Sequence, residues 1–191
     1  MTIYGLFGIT AGILELAAAS IYIVSILAGK TKPDRVTWWV LALVSGMITA
    51  SYFASGARET IWLPAAYTLA FTVFGILSLY YGEGPAALSA LDRFALIGAL
   101  LSAVVWWLMR SPVPALFMNM CTEFIGLIPT INKSYRRPWT ESKASWILAT
   151  VASLLNVFAI TEWTYIIAAY PLYIFSTNLV IVAFILNRKR T

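Results

Sequence analysis

Two glutamates stand where a charge is costly. Glu15 interrupts the run Gly8-Ile-Thr-Ala-Gly-Ile-Leu-Glu-Leu-Ala-Ala-Ala-Ser20, and Glu123 interrupts Phe117-Met-Asn-Met-Cys-Thr-Glu-Phe-Ile-Gly126. An ionisable group at the centre of a bilayer costs about 2.5–3.5 kcal/mol on insertion scales, so each is a functional candidate. A carboxyl at depth can carry a proton or bind a polar solute; the plain alternative is a hydrogen bond to a neighbouring helix. The other six acids, Asp34, Glu59, Glu83, Asp92, Glu141 and Glu162, fall in or beside stretches that read as loops.

What is missing narrows the chemistry further. The chain has no histidine and one cysteine, Cys121, which excludes disulfides within the chain, His-metal sites and Ser-His or Cys-His nucleophiles. No enzymatic activity, metal or cofactor is expected. With 61% hydrophobic residues and 11% charged in 191, against roughly 25% charged in soluble domains, the class is an all-α integral membrane protein. A span needs about 20 apolar residues, so the length holds seven spans and no large extramembrane domain. The first apolar stretch lacks a basic flank and is expected to stay as a membrane helix.

Apolar runs place spans near Ile3–Ala28, Val36–Gly56, Ile61–Tyr81, Phe94–Met109, Val113–Ile131, Ala144–Thr161 and Tyr165–Leu186. Charge asymmetry tests that count. Seven spans put Lys30, Lys32, Arg35, Arg93, Lys133, Arg136, Arg137, Lys143, Arg188, Lys189 and Arg190 on one side, and only Arg58 and Arg110 on the other. Omitting the short fourth span nearly abolishes the bias. The expected orientation has the N-terminus outside and the C-terminus in the cytoplasm, in the plasma membrane. The net charge of +5 is then a topology signal beside anionic headgroups and not a nucleic-acid footprint.

The chain also resembles itself. An offset of 107 residues lays Trp39-Val-Leu-Ala-Leu-Val44 over Trp146-Ile-Leu-Ala-Thr-Val151 and Pro64 over Pro171. Spans one to three and five to seven run in the same direction because an odd span separates them, the pattern of two parallel repeats. The expected domains are a first triple-helix repeat at 1–82, a linker with helix four at 83–110, and a second repeat at 111–191.

At the end of span five, Ile128-Pro-Thr-Ile-Asn-Lys-Ser-Tyr-Arg-Arg137 leads through Thr140-Glu-Ser142 to Ser145-Trp146. This resembles the PQ-loop motif of the SWEET and PQ-loop transporter superfamily, with Thr130 in place of the glutamine and Val24-Ser25 standing for Pro-Gln in the first repeat. The resemblance implies a 3+1+3 helix layout and transport of a sugar or similar small polar solute by alternating access. It also implies substrate contact by an asparagine in span seven, which Asn178 supplies, whereas the offset position in span three is Phe71. A mid-helix proline removes a hydrogen bond and bends the helix, so Pro129, Pro64 and Pro171 are candidate hinges.

Around the glutamates, polar residues recur at helical spacing. Asn119, Glu123, Gly126 and Thr130 share one stripe of span five; Gly8, Ala11, Glu15 and Ala18 share one of span one, where close packing of small residues is the favoured reading. Thr49 in span two and Asn156 in span six correspond under the offset, and Tyr170 and Tyr173 line span seven. The expected substrate wall is Asn178, Asn156, Thr49, Tyr170, Tyr173 and Asn119, with Glu15 and Glu123 as proton carriers. The tryptophans near span ends, Trp38 and Trp39 among them, read as an interfacial belt.

Other seven-helix and intramembrane chemistries fail on composition. A Schiff-base lysine would have to lie within the last span, and every lysine is at a loop or an end. Intramembrane proteolysis lacks both a basic residue at depth and a buried aspartate pair. A non-transporting receptor or adaptor on the same fold, and a channel-like permease, remain as alternatives to the carrier. The expected partners are a small polar solute and the lipid bilayer, with no nucleic acid; the layout is compatible with a homo-oligomer.

Overall fold

A computed structural model gives the fold and describes residues 2–30, 33, 37–82 and 90–187. Seven α-helices account for most of the chain: α1 Ile3–Leu27, α2 Thr37–Ala54, α3 Trp62–Tyr81, α4 Ala90–Met109, α5 Pro112–Arg136, α6 Lys143–Phe158 and α7 Tyr165–Leu186. Short 3-10 turns at Glu59–Ile61 and Pro138–Thr140 precede α3 and α6, and no strand occurs among the described residues. Of the residues used above for orientation, Lys32, Arg35, Arg188, Lys189 and Arg190 lie outside the described set, as do the acids Asp34 and Glu83.

Local signals set the helix ends. Thr2, Ser142 and Thr164 each accept a hydrogen bond from the backbone amide three residues on and so cap α1, α6 and α7, satisfying donors that a helix start leaves free. Gly29, at φ +68°, ends α1 in the left-handed conformation while the Lys30 amide reaches back to the Ser25 carbonyl, the usual glycine stop. Arg110 also has positive φ, 52°. It makes the abrupt turn from α4 into the proline that begins α5.

Three boundaries differ from the sequence reading. Helix α4 starts at Ala90, so Asp92 and Arg93 belong to its first turn. Helix α5 continues to Arg136, which makes the polar Asn132–Arg136 stretch helical; hydropathy ends where polarity begins, but backbone hydrogen bonding continues. Helix α6 stops at Phe158, beyond which the Ile160 amide bonds the Val157 carbonyl three residues back and the helical ladder ends.

Five helices, α1, α3, α4, α5 and α7, are long and apolar enough to cross a membrane, while α2 and α6 are shorter. Large apolar residues face outward, including Leu79, Phe94, Leu100, Trp107 and Leu108, as a lipid-facing surface requires. Six helices form a ring in the order α1, α3, α2, α5, α7, α6 and back to α1, and α4 packs outside it against α5 and α2. Close approach fixes two seams. A Cβ on Gly8 would overlap the Glu59 carbonyl, and one on Gly98 of α4 would stand 2.5 Å from Thr122 Oγ1 of α5.

Inside the ring, Val44, Ile48, Tyr52, Leu63, Tyr67, Leu116, Tyr170 and Ile174 belong to one apolar core. A second cluster forms around Ile26, Ala70 and Phe74. Trp38, expected in an interfacial belt, turns inward to this cluster and packs its ring against Tyr22, Phe71 and Phe74.

Candidate functional site

The polar residues buried inside the ring gather from five helices. Glu15 of α1 is 5% exposed and Glu123 of α5 is 4% exposed. The Glu15 carboxyl faces the Tyr67 hydroxyl of α3, and the Glu123 carboxyl faces the Tyr173 hydroxyl of α7. In both carboxyls Oε2 is buried and has no hydrogen-bond partner among the described residues, and the same holds for the hydroxyls of Tyr170 and Tyr173. Tyr67 and Tyr170 belong to one core cluster, and Tyr173 packs against it, so the tyrosine partners of the two glutamates meet inside the ring.

Asn178 ties this site together. Its Nδ2 donates toward the Tyr67 hydroxyl of α3 at 3.1 Å and toward the Ala149 carbonyl and Ser153 Oγ of α6, both at 3.3 Å. One amide therefore joins α7 to two neighbours beside Glu15. Asn156, two turns along α6 from Ala149, is fully buried with neither amide atom partnered. Buried polar groups are nearly always hydrogen-bonded, and here Glu15, Glu123, Asn156, Tyr170 and Tyr173 each keep a buried polar atom without a partner among the described residues.

The remaining residues singled out from sequence have other surroundings. Thr49 donates to the Ser45 carbonyl at 2.9 Å and pairs with Thr68 Oγ1 at 2.9 Å, a tie between α2 and α3. Asn119 donates to Ser102 Oγ of α4 and to its own helix at Ala115, both at 2.8 Å, so its amide nitrogen faces α4. Only its Oδ1 is left without a partner. Pro64 is the third residue of α3, where a proline removes no helical bond. Pro129 lies within α5 with its side chain outside the described set, and Pro171 lies inside α7.

Pro171 has a structural consequence that sequence reading missed. Without an amide hydrogen it leaves the Ile167 carbonyl free, and the Tyr52 hydroxyl of α2 donates to that carbonyl at 2.5 Å. Tyr52 also accepts from Thr60 Oγ1 at 2.7 Å, since its one hydrogen is already committed. Thr60 and Ile167 in turn line a cavity of about 420 Å³ between the α2–α3 and α6–α7 connections, with Arg58, Glu59 and Glu162 at its wall. From there the rings of Tyr52, Tyr170 and Tyr173 follow one another at centroid distances of 5.7 and 6.2 Å, and Tyr173 faces Glu123.

Tyr67 was also missed, although a signal existed. Tyr67, Phe71, Phe74 and Ser78 recur at steps of four, three and four on α3, opposite the outward Leu69, Ile76 and Leu79. Charge completes the picture: the described helices carry lysine and arginine only in their terminal turns. The site therefore contains carboxyls, tyrosine hydroxyls and amides, and no basic side chain. No protein-family model, curated protein or solved structure matches the chain.

Proposed function

We propose that this protein is a membrane carrier that moves a small polar solute by alternating access through the site between α1, α3, α5, α6 and α7. One observation carries the reading: in a chain whose outer surface is apolar, the interior holds two carboxyls, two tyrosine hydroxyls and an asparagine amide with unpartnered buried atoms. A static bundle gains nothing from such groups, since each costs about 1–3 kcal/mol when left unpaired.

The finer architecture in this proposal is two parallel triple-helix repeats joined by α4, with seven spans, N-terminus outside and C-terminus cytoplasmic, as in the SWEET and PQ-loop superfamily. The helix packing supports it. Exchanging α1 with α5, α2 with α6 and α3 with α7 returns the same ring order. Lengths agree, since α1 and α5 both have 25 residues while α2 and α6 are the two short helices. The glutamate-to-tyrosine pairing recurs as well, from α1 to α3 and from α5 to α7.

Counterflow of a labelled-solute panel in proteoliposomes, repeated at two pH values, tests the carrier. Saturable exchange of at least one solute is expected. No exchange of any solute by the folded protein favours a receptor or adaptor, and conduction without saturation favours a channel. A cysteine placed at Asn156 in a Cys121→Ser background should react with a small thiol reagent during turnover; reaction from neither side removes Asn156 from the pathway.

A further inference from the structure

Two carboxyls buried inside one ring of helices need neutralising, and the described helices place no basic side chain at their depth. Glu15 and Glu123 are almost fully enclosed, and lysine and arginine are confined to terminal turns of the described helices. A buried carboxylate without a counter-charge is too costly to persist. Neutralisation must come from bound protons or from a cation that enters the site.

The titratable groups that face these carboxyls come from α3 and α7. They are Tyr67 for Glu15, and Tyr173 and Tyr170 for Glu123, with Cys121 near Tyr173. Of the other packed helices, α2 carries only Tyr52 as a titratable group, bonded to Thr60 and Ile167; α4 has Asp92 and Arg93 in its first turn, and α6 has Lys143 at its start. None of these supplies a positive charge at depth.

The rest of the site suits one kind of guest. The Tyr52, Tyr170 and Tyr173 rings follow one another in tilted contacts toward Glu123, and an aromatic face attracts an ammonium group. The Tyr170 hydroxyl, fully buried and unpartnered, completes an acceptor set with the two Oε2 atoms. An anionic solute would meet two carboxyls with nothing to offset the repulsion.

We propose that the site takes an organic cation, a protonated or quaternary amine, and that Glu15 and Glu123 hold either this cation or protons, so that one is exchanged for the other. The proposal rests on the carrier reading above. It deepens that reading by naming the solute class.

The test uses the full chain in proteoliposomes whose lumen is more acidic than the bath and contains a pH dye. Labelled choline, tetraethylammonium and putrescine are compared with D-glucose, mannitol and L-glutamate. At least one cation should accumulate, the lumen should become more alkaline as it enters, and the neutral and anionic solutes should stay at background. Glu15→Gln and Glu123→Gln should each lower cation uptake at least tenfold while the melting temperature stays within a few degrees of the parent.

Exchange of glucose, mannitol or L-glutamate with the cations idle overturns the cation assignment and leaves the carrier standing. No movement of any of the six by folded protein overturns both. Cation uptake without proton countermovement in the unmodified protein overturns the shared use of the carboxyls, and so does wild-type uptake by the glutamine variants. The proton measurement decides this point even where a variant fails to fold.

Discussion

The Tyr52 hydroxyl bonds the Ile167 carbonyl, the acceptor that Pro171 leaves without its helical donor. One helix thus repairs the defect that a proline makes in another, across the core and over 115 positions of sequence. A proline inside a membrane helix is tolerated when a neighbour satisfies the freed carbonyl, and here the neighbour is a single phenol.

The repair can be weighed by a double-mutant cycle. Tyr52→Phe removes the donor and should cost about 1–3 kcal/mol, the penalty of an unpaired buried acceptor. Pro171→Ala restores a helical amide to Ile167, so Tyr52→Phe should cost less in that background. Thermal or denaturant unfolding in detergent measures the coupling, expected at about 0.5–3 kcal/mol for contacting groups; additive effects would show that the bond carries no energy.

Asn178 holds α7 to α3 and α6 with one amide. Asn178→Ala should lower stability by about 1–3 kcal/mol by stranding polar partners and should abolish solute exchange. Asn178→Asp, which exchanges the donor for an acceptor, should do no better. Exchange at the parent rate in either variant would detach this residue from the site.

Two glycines inside helices should respond in opposite ways to alanine. Gly8→Ala drives a methyl into the Glu59 carbonyl and should destabilise by about 1–3 kcal/mol, as overpacking does. At Gly46 the nearest atom to a new Cβ is Thr68 Cγ2 at 3.7 Å, ordinary contact. Gly46→Ala should be neutral or gain up to about 1 kcal/mol from helix propensity, read as a shift in melting temperature.

Arg110 adopts the left-handed conformation that side chains avoid, at a cost of about 1–2 kcal/mol. Glycine adopts it freely. Arg110→Gly should therefore raise the melting temperature, with solute exchange unchanged; a lower one would mean that the guanidinium has a bonding role larger than the strain.

How much of this could be read in advance depended on contrast. Glu15 and Glu123 stand out because a charge within an apolar run is costly whatever its role, and the structure encloses both. Tyr67 did not stand out in the same way, because a tyrosine in a 20-residue apolar helix looks like one more aromatic until a partner on another helix is known. Asn119 shows the converse. Its stripe on α5 joined it to Glu123, but only packing shows that Ser102 on α4 takes its amide. The end of α5 was misjudged for a simpler reason, since polarity marks the edge of a lipid-facing surface and not the end of a helix.

The 16 residues of α6 span about 24 Å at 1.5 Å each, against a hydrocarbon layer of about 30 Å. On the seven-span proposal the lipids beside α6 would have to shorten to meet it, and so would those beside α2 where it is exposed. Hydrophobic mismatch of this kind costs fractions of a kcal/mol per Å, enough to bias a protein that changes shape. Acyl-chain length thus becomes a ligand of a sort: in thin bilayers both short helices are matched, and in thick ones any state that hides them from lipid is favoured.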